Sequence, residues 1–160
     1  MQRVPMELRL TPQQVAASWA CRTLRTSDRE DLAILLYAAF RGTIDDEGET
    51  FADALAEIDR TFAGEYGDLM LDCSFVIERG EFLASACLIG RSGHDDPPLV
   101  VFSMTRPDAQ CRGLARFLLQ RAIGALLDRG YDRLRLIVTE GNAPAQRLYA
   151  SLGFRPLGDT

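Results

Sequence analysis

The sequence of 160 residues has the length of a single domain with its own core, and its hydrophobic (47%) and charged (26%) fractions are those of a folded globular protein. The net charge of −5 argues against general nucleic-acid binding, and no apolar run approaches the roughly 20 residues that span a membrane. The first ten residues lack the apolar segment of a signal peptide, so we expect a cytoplasmic protein. One histidine and four widely spaced cysteines do not form the ligand cluster of a zinc site, so no metal is expected.

Charge is distributed unevenly along the chain, in which all 18 basic residues are arginine. Residues 45–72 carry ten acids against one base, Arg60, whereas residues 101–160 carry nine arginines against five acids. An acidic half beside a basic half is compatible with a cationic substrate that faces an anionic cofactor. It is equally compatible with a solvated acidic helix and loop, and the sequence leaves both interpretations open.

The elements of the N-terminal half are predicted from helix caps and apolar periodicity. Thr11-Pro12-Gln13-Gln14 and Ser27-x-x-Glu30 have the residues of helix starts and capping boxes, and apolar positions recur at helical spacing after Ser27 and after Thr50. The predicted elements are a strand over 4–10, a short helix over 11–19, a strand over 21–25, a helix from about 27 to 42, a polar loop over 42–50 and a helix over 51–62.

The C-terminal half is predicted to alternate strands and helices. Arg79-Gly80 between two β-rich runs predicts a hairpin, and Gly130 and Gly153 follow their helices at C-cap positions. The hairpin implies antiparallel pairing, and the strand–helix–strand unit over 99–138 implies a parallel pair. We therefore predict an α/β fold with a mixed, mostly antiparallel sheet flanked by helices. The predicted elements are strands over 73–78, 81–89 and 99–105, a helix over 113–129, a strand over 134–138, a helix opened by Asn142 and Pro144, and a strand over 154–157.

The turn before the helix over 113–129 carries the sharpest motif, Gln110-Cys111-Arg112-Gly113-Leu114-Ala115. The first N–H groups of a helix have no partner inside it, and with the helix dipole they favour an anion such as phosphate or pyrophosphate. Gly113 would let such a ligand approach the backbone closely. The motif is neither a Walker loop nor a dinucleotide GxGxxG, and alone it also fits an ordinary helix start. Positive charge is added nearby by Arg106, Arg112 and Arg116.

A second motif, Asn142-x-x-Ala145-x-x-Leu148-Tyr149 with Leu152-Gly153-Phe154, follows one strand later. Alone it describes a capped amphipathic helix. In this order and spacing, the two motifs resemble those of the GNAT superfamily of N-acetyltransferases, which have Arg/Gln-x-x-Gly-x-Gly/Ala, then Asn, Ala, Leu-Tyr and Gly-Phe. The resemblance is closest over 99–157 and extends by element order back to about Cys21. It implies one acetyltransferase domain over 21–160, with residues 1–20 as an N-terminal extension packed on it.

The resemblance also implies a site. Acetyl-CoA would lie as cosubstrate in a V between the strand over 99–105, which carries a bulge in this family, and the next parallel strand. Tyr149 would protonate the departing CoA thiolate as general acid, because a phenol stays protonated at neutral pH yet can donate to a thiolate. Asn142 would serve the cofactor arm or cap the last helix. The expected cofactor-binding residues are Ser103, Met104, Thr105, Gln110, Cys111, Arg112, Gly113, Leu114, Ala115, Arg116 and Asn142.

The resemblance implies direct transfer of the acetyl group to an amine of a small molecule or of a protein N-terminus, with the acidic 42–72 region at the acceptor site. The amine must first lose a proton, and the strand over 99–105 contains no acid to take it. A route through Cys111, at a helix N-terminus, is conceivable but unlike the family. Two other functions stay open: a catalytically silent CoA-binding sensor or interaction domain, and an acyltransferase for a longer acyl-CoA. Candidate bases, none of them assigned, are Asp46, Glu47, Glu78, Glu140 and His94.

The sequence departs from the family pattern in three places. Thr105 stands for the usual valine and Ala115 for the usual second glycine, and only six residues follow Phe154, where the family has two strands. A missing strand would leave a bare sheet edge, which invites aggregation. We expect the strand over 4–10, or the partner subunit of a homodimer, to cover that edge.

Overall fold

The computed structural model of the chain describes residues 2–16 and 18–158. Eight strands form one sheet, in which β6 and β7 are parallel and the other pairs are antiparallel. The predicted mixed, mostly antiparallel sheet is therefore confirmed. The strands are β1 (Arg3–Arg9), β2 (Arg22–Thr23), β3 (Asp68–Leu69), β4 (Phe75–Arg79), β5 (Phe82–Arg91), β6 (Leu99–Thr105), β7 (Arg133–Thr139) and β8 (Arg155–Pro156), in the spatial order β2-β4-β5-β6-β7-β1-β8 with β3 beside β5.

Four α-helices cover the sheet in two layers. The first core joins α1 and α2 to one face of the sheet, and the second joins α3 to the other face together with residues of β1, β7 and the end of α4. Because helices cover both faces, β5 is buried at eight consecutive positions and its sequence is a continuous run of small and apolar residues. The helices are α1 (Arg29–Phe40), α2 (Phe51–Phe62), α3 (Leu114–Asp128) and α4 (Ala143–Leu152).

The N-terminal strand completes the sheet beside β7. β1 pairs antiparallel with β7 over seven residue pairs, from Arg3 opposite Thr139 to Arg9 opposite Arg133. The short strand β8 lies on its other side, opposite Met6 and Glu7. The expectation that the strand over 4–10 covers this edge is confirmed, since β1 occupies the position in the sheet next to β7.

The helix predicted over 11–19 is wrong for the residues that the structure describes, and residue 17 lies outside them. The segment instead crosses α3 in an irregular conformation. The side-chain amide of Gln120 donates to the carbonyl of Gln14 at 3.3 Å, and the ring of Trp19 packs on Phe117 with a centroid distance of 5.8 Å. These tertiary contacts replace the local helix that the Thr-Pro-Gln-Gln start favoured.

The capping box predicted at Ser27 and Glu30 is also wrong. A 3-10 turn (Thr26–Asp28) precedes α1, and Asp28 rather than Ser27 organises it: its Oδ2 accepts a hydrogen bond from the Arg25 N–H at 2.8 Å. Arg22 donates two further bonds to the same carboxylate, at 2.7 and 2.9 Å.

None of the described helices combines the length and apolar character that crossing a membrane requires.

Candidate active site

The parallel strands β6 and β7 separate soon after they meet. They pair only at Leu99 opposite Arg135, where the Arg135 N–H donates to the Pro98 carbonyl at 2.9 Å. Beyond this point the strands diverge and leave a V-shaped opening in the middle of the sheet. In the pairing of β6 with β5, Leu88 faces Phe102 and Ile89 faces Val100, so Val101 is an extra residue. This β-bulge bends β6 at the start of the opening.

The turn that follows β6 presents a run of backbone amides. It contains two residues in the left-handed region, Cys111 (φ 64°) and Gly113 (φ 82°), and no side chain caps α3. Within the described part of the chain, none of the backbone N–H groups from Cys111 to Arg116 donates a hydrogen bond to the protein. The first bond of the helix runs from Phe117 to the Gly113 carbonyl at 3.0 Å. Such a concave row of free amides at a helix N-terminus is suited to bind phosphate oxygens.

Side chains around this turn hold its shape and add positive charge. The Gln110 amide donates to the Thr105 carbonyl at 3.2 Å, which ties the turn back to the end of β6. Arg116 donates to the Ser151 hydroxyl at 2.6 Å, and exposed Arg112 has no ion pair with any described residue. Trp19 lies against Gly113, where an added Cβ would be 3.5 Å from the ring.

Tyr149 lies in the V on α4. Burial and the neighbouring Cys87 raise the pKa of its phenol to about 12; the Ser103 side chain acts in the opposite direction, and the charge of Asp45 raises it further. The phenol is therefore protonated at every physiological pH. The ring packs edge-on against Phe154, with a centroid distance of 5.8 Å, so the Gly-Phe end of the motif supports the tyrosine from behind.

Asn142 caps α4. Its side-chain oxygen accepts from the Ala145 N–H at 3.4 Å, and Pro144 stands in the first turn, as the local sequence predicts. The same residue lines the cleft beside Tyr149. The structure thus brings Ser103, Asn142 and Tyr149 to one cleft. The amide-bearing residues Cys111 to Arg116 lie at the turn after β6.

The cleft has a volume of about 730 Å³ and extends from the V to α1, α2 and the loop between them. Its lining includes six acidic and three arginine side chains, so it carries an excess of negative charge. The acids are Asp45, Asp46, Glu47, Glu49, Asp53 and Glu57, and the arginines are Arg3, Arg41 and Arg60. Thus the acidic region of the sequence does border the cleft, and the arginine-rich half supplies the turn.

The candidate bases from sequence are placed in different parts of the molecule. Asp46 and Glu47 line the cleft, whereas the other three candidates are not among its described lining residues. Glu78 pairs with Arg22 at the end of β4, Glu140 is exposed with its N–H bound to the Gln2 carbonyl, and His94 lies in the exposed loop after β5. Glu78, Glu140 and His94 are therefore displaced from the opening that contains Tyr149.

Sequence reasoning missed a contact across the mouth of the V. The Asp45 carboxylate accepts a hydrogen bond from the Thr139 hydroxyl at 2.7 Å, which joins the α1–α2 loop to the end of β7. The two residues are 94 positions apart, so no local pattern could show the pair. Arg3 was missed for the same reason, since it reaches the cleft only because β1 pairs with β7.

A bulged strand that splays from its parallel neighbour, a turn of free amides and a tyrosine in the opening are the features that the sequence resemblance implies for an acetyltransferase. The sequence matches the family described as Acetyltransferase (GNAT) family over residues 36–154. The chain belongs to this family.

Two relatives illustrate the range of the similarity. The chain is 35% identical over 106 residues to the [ribosomal protein bS18]-alanine N-acetyltransferase of Salmonella typhimurium, covering 66% of this chain and 69% of the relative. It is 49% identical over 51 residues to the mycothiol acetyltransferase of Beutenbergia cavernae. That match covers 32% of this chain but spans only 17% of the relative.

Solved structures show the same fold. A GCN5-related N-acetyltransferase from Sphaerobacter thermophilus superimposes with a TM-score of 0.72 at 20% identity, over 96% of this chain and 48% of the other. The PaiA N-acetyltransferase from Thermoplasma acidophilum, solved in complex with coenzyme A, superimposes with a TM-score of 0.63 at 17% identity, over 85% of this chain and 89% of the other.

Proposed function

We propose that this chain transfers the acetyl group of acetyl-CoA directly to a primary amine. The observation that carries the proposal is the V between β6 and β7, which opens onto a cleft lined by Tyr149 and is followed, at the end of β6, by the amide-lined turn. The turn suits the pyrophosphate of CoA, and the V suits its extended arm. Backbone groups of Ser103, Met104 and Thr105, on the β6 side of the opening, would bind that arm and polarise the thioester carbonyl.

Tyr149 would act on the leaving sulfur. A thiol has an ordinary pKa of about 8.5, so complete proton transfer from a phenol with a pKa of about 12 to the thiolate is unfavourable by about 5 kcal/mol. We therefore assign Tyr149 as the general acid in a limited sense. It donates a hydrogen bond to the thiolate as the C–S bond breaks and keeps its own proton, and the proton that converts the thiolate to the thiol comes from the acceptor nitrogen.

A cationic acceptor fits the charge of the cleft. Six carboxylates against three arginines favour an ammonium group, which nearly every amine carries at neutral pH. The bS18-alanine N-acetyltransferase relative makes a peptide N-terminus the first acceptor to test. Small amines remain the second class, since the relatives also include a mycothiol acetyltransferase.

Direct transfer is favoured over a covalent cysteine route by the position of the thiols. Cys111 lies at the turn and is not among the described residues that line the cleft, and Cys87 is fully buried. Burial raises the pKa of the Cys87 thiol to about 12, which keeps it from forming the nucleophilic thiolate.

The test combines acetyl-CoA binding by titration calorimetry with release of free CoA thiol. The amines would be a peptide with N-terminal alanine, spermidine, glucosamine and an aminoglycoside. Binding with thiol release on one class supports the proposal and identifies the acceptor. Binding without release on any amine would favour a CoA-binding sensor, and absence of binding would reject the CoA site itself.

A further inference from the structure

We propose that the Asp45 carboxylate binds the ammonium group of the acceptor and removes its proton, and that Thr139 is its positioning residue. This inference rests on the acetyl transfer proposed above. It assigns the base that the strand over 99–105 lacks. The starting observation is the 2.7 Å hydrogen bond from the Thr139 hydroxyl to Asp45 Oδ1, which places the carboxylate at the open end of the V.

Four of the other five acids of the cleft already have structural partners. Asp46 accepts hydrogen bonds from the Gly42 and Gly48 amides at 2.7 and 2.9 Å. Asp53 accepts the Thr50 N–H at 2.8 Å within the capping box of α2. Both carboxylates therefore stabilise the α1–α2 loop or the start of α2, and each would lose these bonds if it turned toward a substrate.

The same argument applies to Glu57 in α2 and to Glu49 in the loop before it. Glu57 is paired with Arg60 at 2.5 Å and accepts the Tyr66 hydroxyl, and Glu49 accepts the Glu47 N–H at 2.9 Å. Glu47 itself is exposed to solvent, where an ion pair with a substrate is worth little. This elimination leaves Asp45.

Asp45 combines two properties that none of these acids has together. It is half-buried, as are Asp46 and Glu57, but unlike theirs its second oxygen, Oδ2, receives no hydrogen bond from any described group. It is also close enough to Tyr149 for its charge to act on the phenol, which places it beside the group that we assign to the leaving sulfur. A carboxylate fixed through one oxygen and free at the other is suited to accept a proton from an ammonium group in the same cleft.

The charged and titratable groups that share the cleft with Asp45 come from four elements and its own loop. Arg41, Asp46, Glu47 and Glu49 flank it in the chain. The groups that face it from elsewhere are Tyr37 on α1, Asp53, Glu57 and Arg60 on α2, Arg3 on β1 and Tyr149 on α4.

The reaction balances with these two side chains. Asp45 Oδ2 takes one proton from R–NH₃⁺, and the neutral nitrogen attacks the thioester carbonyl carbon, so that a C–N bond forms and the carbonyl electron pair moves to oxygen. When the carbonyl reforms, the C–S bond breaks and its electron pair leaves with sulfur, which Tyr149 stabilises. The surplus nitrogen proton passes to sulfur, giving the amide and the CoA thiol, and Asp45 releases its proton to solvent.

The test is Asp45→Asn, with Glu140→Gln as the matched control that removes an exposed carboxylate next to Thr139 but outside the cleft. It uses acetyl-CoA and the amine on which the wild type releases thiol fastest. We expect Asp45→Asn to bind acetyl-CoA within twofold of wild type and to lose at least 100-fold in kcat/KM for the amine at pH 7. Its kcat/KM should then rise tenfold per pH unit toward the pKa of the amine, while wild type and Glu140→Gln stay nearly flat.

A kcat/KM of Asp45→Asn within threefold of wild type would overturn the proposal, and so would a large loss that keeps the pH profile of the wild type. Thr139→Val provides a second variant, which keeps the carboxylate but removes its hydrogen bond. We expect about a tenfold lower kcat/KM with a profile shaped like that of the wild type, and an unchanged rate would reject the positioning role. Failure of wild-type turnover on every amine would instead reject the proposed function, so the two failures are distinguishable.

Discussion

At the scale of single residues, the proposed reaction uses one phenol, that of Tyr149, whose pKa is set by its surroundings. The pKa of the Tyr149 phenol is raised to about 12 by burial, by the neighbouring Cys87 and by the charge of Asp45. Its ring packs against Phe154. A phenylalanine at this position would keep that ring packing and remove only the hydroxyl. The contribution of the hydroxyl to catalysis can therefore be separated from its contribution to packing.

Tyr149→Phe should lower kcat by roughly 10- to 100-fold and leave the Kd of acetyl-CoA within twofold. The reason is that a hydrogen bond to a charged group is worth about 1.5–3 kcal/mol and would form here only as the thiolate develops. Thiol-release kinetics and calorimetry on the same preparations measure both quantities. A kcat equal to that of the wild type would remove Tyr149 from the mechanism.

The same phenol should affect stability at high pH. Its folded pKa of about 12 lies above the ordinary 10, so folding favours the protonated form. The contribution is fully present below pH 10 and is lost as the pH rises toward 12. The free energy of unfolding, measured by urea titration between pH 8 and pH 11, should fall more for wild type than for Tyr149→Phe. Parallel curves would show that the phenol titrates with its ordinary pKa.

At the scale of elements, the turn between β6 and α3 is the part whose backbone would bind the pyrophosphate of CoA in the proposed function. Its free amides come from Cys111 to Arg116, and its charge from arginines such as Arg112, which is exposed and has no ion pair with a described residue. A backbone site tolerates loss of a single side chain, so the arginine should add to affinity without being required for it.

Arg112→Ala should weaken acetyl-CoA binding by roughly five- to tenfold at low salt, with a smaller difference at high salt because exposed charges are screened. Trp19 is the only tryptophan and lies against Gly113, so its fluorescence offers a binding signal beside calorimetry. Arg9→Ala, at the opposite end of β1 from the cleft residue Arg3, is the charge-matched control. Equal losses in the two variants would mean that net charge alone sets the affinity.

The Asp28 carboxylate links β2, the 3-10 turn and the start of α1. Burial alone would raise the pKa of Asp28, but hydrogen bonds from Arg22 and from the Arg25 amide outweigh it and hold the pKa below its usual value. The stabilisation is therefore present above the unfolded pKa near 3.8 and is lost as pH falls below it. Asp28→Asn should cost about 2–3 kcal/mol at pH 7, because Arg22 then keeps only exposed Glu78 as an ion-pair partner.

Denaturant unfolding at pH 7 and at pH 3 measures this effect, with exposed Glu30→Gln as the control. The penalty of Asp28→Asn should shrink at pH 3, where the wild-type carboxyl is also partly protonated. A penalty of the same size at both pH values would show that packing of the amide, rather than charge, causes the loss.

Most helices of the fold could be predicted from the sequence. Periodicity located α1 and α2, and glycine and proline located the end of α3 and the ends of α4, because these signals act within a few residues. The segment 11–19 and the capping box at Ser27 were wrong because Gln120, Trp19 and Arg22 supply partners from elsewhere in the chain. Within the candidate site, the motifs around Gly113 and Tyr149 are visible in the sequence, whereas Asp45 and Thr139 meet only through the folded sheet.

At the scale of the whole molecule, the N-terminal strand β1 covers the edge that β7 would otherwise expose to solvent. β1 lies between β7 and β8, so it covers the outer side of the strand that borders the V. Its inward residues Met6 and Leu8, with Leu10 just after it, are buried in the core that α3 shares with the sheet. The candidate site and the N-terminus are thus coupled through one strand, even though the motifs to which we assign CoA binding all lie after residue 99.

Leu8→Ala should therefore destabilise the whole domain rather than an N-terminal appendage. Leu8 is 5% exposed and lies against Gly153 at the end of α4, so its truncation leaves a cavity that should cost about 3 kcal/mol. For a domain of this size that corresponds to a fall in Tm of roughly 6–12 °C.

Calorimetric melting of Leu8→Ala and of exposed Arg9→Ala measures the difference, and saturating acetyl-CoA should raise the Tm of both. A single transition that shifts as a whole would show that β1 folds with the domain. A Tm equal to that of the wild type, or a separate early transition, would show that the strand is dispensable to the sheet that forms the site.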